Sequence, residues 1–141
     1  MNFLKCITFL LIIFSPNQLN AENIDNQLNR LFKELKIDDQ TLAYDVEQKI
    51  WNLWSTHPTN NNLTERLKEG SNLVMNNQLS KAIAIFTEVI KKDPNWAEAW
   101  NKRATALYFL GDYQGSQDDI NKVLELEERH FGALAGQGLV N

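Results

Sequence analysis

The chain has 141 residues, with 14 Lys and Arg against 18 Asp and Glu and a formal net charge of −4. A mildly acidic balance carries no electrostatic footprint for nucleic acid. One cysteine and two histidines exclude a disulfide framework and serve a metal poorly, so packing alone must hold the fold.

Met1 to Lys5 carries one positive charge, Cys6 to Phe14 is an uninterrupted apolar run, and Ser15 and Pro16 break it before Ala21. A charged start, a short apolar core and a small-residue exit predict a secretory signal over residues 1–21. The run is about half of the ~20 residues that a membrane-spanning helix needs, which makes an uncleaved N-terminal anchor the alternative. Once the signal is removed, no membrane span is expected, and the only cysteine leaves with it.

From Glu22 onward the apolar spacing is helical. Ile24, Leu28, Leu31, Phe32 and Leu35 form one stripe, and Ala43, Val46, Ile50, Leu53 and Trp54 form another. Asp38 to Gln40 separates the two helices, and Ser55 to Asn62 is a turn and linker. Trp54 lies on the second stripe and is expected in the core, whereas Trp51 lies off it as either an exposed anchor or a partly buried neighbour. His57, before Pro58, is expected exposed.

A repeat then begins. From Leu63, Gly70 is followed by Leu73, Ala82, Phe86, Val89 and Pro94; from Ala97, thirty-four residues later, the matching residues are Ala104, Leu107, Ser116, Ile120, Val123 and Glu128. A third register opens at Phe131, and Gly138 falls in step with Gly70 and Ala104. Small residues at fixed places let two antiparallel helices approach where they cross, and the large ones fill the space beside them. Asn76-Asn77-Gln78 and Gly111-Asp112-Tyr113 supply the tight turns. Pro94 stops a helix, and Asn95 is the expected N-cap of the next. Trp96, at the junction between repeats, should pack beneath the Pro94 turn.

This spacing and these residues, most clearly Trp100, Ala104, Leu107, Gly111, Asp112, Tyr113 and Ser116, resemble the tetratricopeptide repeat family. The resemblance implies an all-α, right-handed α-solenoid of helical hairpins. It divides the chain into a degenerate capping hairpin and linker (22–62), a first repeat (63–96), a second (97–130) and the opening helix of a third (131–141). Glu128 stands where the pattern has proline, so a less sharply defined exit is expected there.

Trp100 belongs to the packing stripe. Arg103 borders it, where a lone charge is costly, and Asp118 or Asp119 can reach it from the second helix. Relatives with a similar Asn-x-Arg-Ala run favour Asp119, as a structural ion pair. The resemblance further implies that the first helix of each repeat lines a concave groove. Leu67, Ser71 and Val74 would line it in the first repeat, Glu98, Asn101, Thr105, Tyr108 and Phe109 in the second, and Ala135 in the third. Such a groove suits an extended peptide or a helix. The carboxylate clamp of heat-shock co-chaperones is not matched, because its places hold Leu67, Ser71, Lys102, Gly132 and Gly136.

No serine has a histidine at helical reach, and the scattered acids read as a solvated face, so neither enzyme activity nor a cofactor is expected. His130 should pack or cap at the start of the last helix. That helix is rich in glycine and uncovered in sequence. An incomplete chain, packing on the preceding hairpin alone, and a homo-oligomer covering the exposed face all remain open. The expected function is docking of a protein or peptide in the periplasm, with a carrier of a small apolar ligand as the alternative.

Overall fold

The computed structural model describes residues 16–36 and 39–140. Most of the expected leader lies outside the described residues. Seven helices and no strand are found among the described residues: α1 (Pro16–Glu34), α2 (Gln40–Ser55), α3 (Asn61–Met75), α4 (Leu79–Lys92), α5 (Ala97–Leu110), α6 (Tyr113–Leu126) and α7 (Phe131–Val140). The expected boundary at Ala21 therefore falls inside α1. No described helix is long and apolar enough to cross a membrane.

Helices α3 to α7 stack in chain order, each packed on its neighbour, with α5 also meeting α3 and α7. Apolar side chains at three- and four-residue steps put one stripe of each helix in the stack. At the first crossing the fully buried Phe86 ring lies over Gly70, and a Cβ on Gly70 would collide with it. At the second, buried Ile120 takes the place of Phe86 and Ala104 that of Gly70. The smaller side chain on one helix thus accompanies the larger on its partner, as close packing demands.

The two hairpin turns superpose bond for bond. Gln78 N donates to Leu73 O and Asn77 N to Val74 O, while Asp112 N donates to Leu107 O and Gly111 N to Tyr108 O. Asn77 (φ 55°) and Gly111 (φ 89°) hold the left-handed residue that such a helix end requires. The inter-repeat turns match as well. Asp93 Oδ1 accepts from Asn95 N at 2.9 Å, and Glu127 Oε1 accepts from Arg129 N at 3.0 Å. Glu128 therefore does not loosen the second exit, because the carboxylate one residue earlier fixes it. Asn95 is not the cap of α5: Trp96 occupies that position with no side-chain cap bond. Trp96 instead buries its ring and donates Nε1 to Trp54 O at 2.8 Å.

The expected ion pair is present. Arg103 Nε and Nη2 donate to the two oxygens of Asp119 at 2.7 and 2.8 Å, and Nη1 donates to Thr87 Oγ1 at 3.0 Å. The guanidinium also lies over the Trp100 ring, 5.0 Å from its centroid, and Trp100 Nε1 donates to Pro94 O at 2.9 Å. Arg103 thereby ties α4, α5 and α6 together.

His57 departs from expectation. It is buried, its Nδ1 accepts from Asn60 N at 3.0 Å and Thr59 N at 3.3 Å, and its Nε2 meets Asp93 Oδ2 at 2.9 Å. Two backbone donors at Nδ1 place the ring proton on Nε2, facing the carboxylate. The linker histidine is a joint between α3 and the α4–α5 turn.

The N-terminal hairpin also differs from a simple cap. Among the described residues, α2 packs on α5 rather than on α3. The hairpin's own core, Leu28, Val46, Ile50 and Trp54, draws in Phe131 of α7.

Candidate functional site

On α5, Glu98, Asn101, Lys102, Thr105, Tyr108 and Phe109 fall at three- and four-residue steps, so one face carries all six. Helix α7 lies beside it, and the groove between them has two halves of different character.

The half nearer the helix starts is covered by the last turns of α2. Trp51 meets the Phe131 ring edge-on at 4.9 Å and sits 5.8 Å from Lys102 Nζ. Gly132 provides its seat, since a Cβ there would lie 2.6 Å from Trp51 Cη2. Trp54 stacks on the His130 ring at 4.1 Å.

Beneath them Glu98 is 1% exposed and accepts from four groups. These are His130 Nε2 at 3.0 Å, Asn101 Nδ2 at 3.0 Å, Lys102 Nζ at 3.1 Å and Ser55 Oγ at 3.4 Å. Burial pushes the Glu98 carboxyl up, but the His130 hydrogen bond and the Lys102 charge outweigh it, and the net shift is downward from 4.5. His130 is fully buried and accepts from Ala133 N at Nδ1, so its ring proton faces Glu98. It packs and caps, as expected.

A carboxyl whose folded value lies below its unfolded one stabilises above the unfolded value and loses that stability as pH falls through the folded one. Glu98→Gln should therefore cost about 1–3 kcal/mol at neutral pH. The gap from wild type, followed by urea melts, should close as acidification takes the carboxyl below 4.5 and through its folded value. A gap constant down to the acid limit would contradict this account.

The other half of the groove is open. A cavity of about 200 Å³ runs between α5 and α7 over α6, bordered by Thr105, Tyr108 and Phe109 on one side and Ala135, Gly136 and Leu139 on the other. Phe109 is 61% and Leu139 67% exposed, and Tyr108 is half-buried, with Tyr113 5.4 Å from it. Thr105 Oγ1 is occupied by Asn101 O at 3.0 Å.

The structure thus divides the expected lining. Thr105, Tyr108, Phe109 and Ala135 border the open half. Leu67 is instead buried in the core with Phe86 and Ala106, and Ser71 turns its hydroxyl back to Leu67 O at 2.9 Å. Val74 packs half-buried against the same core. Glu98 is buried because α2 and the residue before α7 cover it, while Asn101 is buried beside it and still lines the cavity. Leu67 and Glu98 are corrected from free lining to supporting residues, whereas Asn101 stays in the cavity's lining and Ser71 and Val74 stay half-buried outside it. Trp51 and His130 are groove residues that the spacing did not bring forward; Gly132, standing where the previous repeat has Glu98, was the available signal.

No family model matches the chain. It is 34% identical over 127 residues to a TPR repeat-containing protein of Rhizobium etli, covering 87% of this chain and 61% of that protein. It is 36% identical over 59 residues to tetratricopeptide repeat protein 36 of Xenopus tropicalis, covering 42% of this chain and 29% of that protein. The chain therefore spans about three fifths of the first relative and under a third of the second. These likenesses, the superposable turns at a thirty-four-residue offset and the all-helical stack support assignment of the chain to the tetratricopeptide repeat family.

Proposed function

We infer that the protein is a non-catalytic docking module that takes a protein or peptide segment into the open half of its groove. The observation that carries this reading is the exposed apolar border of that half, Phe109 and Leu139 facing each other across a cavity next to Tyr108. Aromatic side chains supply contact area at low entropic cost, and a rim of this kind stays uncovered only at some expense in solubility. The family's general use as an interaction repeat agrees with it. The charged start, apolar core and small-residue exit of residues 1–21 support a setting in the cell envelope after export. A carrier of a small apolar ligand is less well supported, because about 200 Å³ is smaller than the ~300–1,000 Å³ of ordinary ligand pockets.

Tyr108→Ala combined with Phe109→Ala should lower capture of a bound protein from an envelope extract at least about tenfold, the equivalent of ~1.4 kcal/mol. Helix content by circular dichroism should not change. Undiminished capture by a folded variant would overturn the groove assignment.

A further inference from the structure

The contact between the N-terminal hairpin and the repeats is poorly matched for a permanent one. Its floor mixes polar and aromatic groups: Glu98, Lys102 and His130 lie under Trp51 and Trp54, beside Phe131 and the bond from Trp96 Nε1 to Trp54 O. The charged part of that floor is well solvated when uncovered, unlike the apolar surfaces that hold obligate interfaces. A cavity of about 160 Å³ remains between Leu28 and Trp54 of the hairpin and Trp96 and Leu126 of the repeats. Trp54 Nε1 is buried there with no hydrogen-bond partner among the described residues, which leaves a donor's desolvation uncompensated. The outer latch is Arg129, which donates to Asn29 at 2.7 Å in an exposed position and stacks over Phe32. An exposed contact of this kind holds weakly.

We propose that the α1–α2 hairpin is a displaceable strap, an autoinhibitory contact that occupies half of the groove and leaves it as one unit. Closed, it covers Glu98 and His130 and half-covers Lys102 with Trp51 and Trp54. Open, it joins the covered half to the open half and doubles the run of α5 available to a partner. Polar interfaces within a chain favour such relative motion, and cooperative units of low stability open without global unfolding. Gly132 is the point at which to bias the equilibrium. A methyl group there meets Trp51 at 2.6 Å while improving the helix propensity of α7.

Hydrogen exchange on the full chain tests the opening without any partner. Amides of residues 46–55 should exchange at least about tenfold faster than those of α5 in the wild-type protein, and Gly132→Ala should widen that difference by a further factor of about ten. Protection in α3 to α6 should stay unchanged. Equal protection of α2 and α5, or an equal loss throughout in Gly132→Ala, would overturn the strap. Its inhibitory consequence rests on the docking reading above. Gly132→Ala should raise capture in the extract assay, and unchanged capture by a variant whose hairpin has opened would overturn the inhibition. Loss of the docking reading alone would show instead as capture indifferent to Tyr108→Ala and Phe109→Ala, with the exchange pattern intact.

Discussion

Phe86→Ala should lower the unfolding free energy by about 3–5 kcal/mol, among the largest effects expected of a single substitution here. Phe86 is fully buried, and its ring fills the place that Gly70 leaves open at the first crossing. Truncation removes the aromatic surface and leaves a void bounded by α3, which cannot collapse far while α4 is pinned by Ala82, Val89 and Ile90 in the same core. Gly70→Ala should also destabilise, by about 1–3 kcal/mol, because a methyl group there collides with the ring despite the better helix propensity of alanine.

The second repeat supplies the control, since it solves the same crossing with Ala104 and Ile120. Gly70→Ala with Phe86→Ile transplants that pair into the first repeat. The double variant should be more stable than the sum of its single changes by about 0.5–3 kcal/mol, as expected for residues in direct contact. Urea denaturation of the four proteins measures the coupling. Strict additivity would mean that the two positions do not share the space described.

The repeats were legible because their signals are local and periodic. Gly70 and Ala104, Asn77 and Gly111, and the large residues opposite them recur at one offset, and each is dictated by a crossing or a turn in its own hairpin. Arg103 was legible for a similar reason: a charge on the border of an apolar stripe requires a partner, and Asp119 on the next helix was in reach. The groove was legible only in part. Its face on α5 follows from helical spacing, but Glu98 is covered by a helix more than forty residues away in sequence. No local pattern announces where an amphipathic hairpin will dock once its own stripe is satisfied. His57 was misread for a related reason. A histidine in a polar linker looks solvated until a carboxylate and two free backbone N–H groups converge on it.

Asp119→Ala should cost about 3 kcal/mol or more, through the charge it leaves behind rather than the contact it removes. Asp119 is 4% exposed, and Arg103 retains only partial access to water. Without the carboxylate, the guanidinium keeps one hydrogen bond to Thr87 and the face of Trp100, neither of which offsets its charge. Because Arg103 joins α4, α5 and α6, the loss should loosen the seam between the two repeats rather than one hairpin. Removing both charges should be milder. Arg103→Met with Asp119→Leu leaves no buried ion and restores apolar volume, so the double variant should recover most of the stability lost in Asp119→Ala. Paired thermal and urea melts decide between these outcomes. If the double variant is as unstable as Asp119→Ala, the geometry of the bidentate bond, and not the uncompensated charge, is what the seam requires.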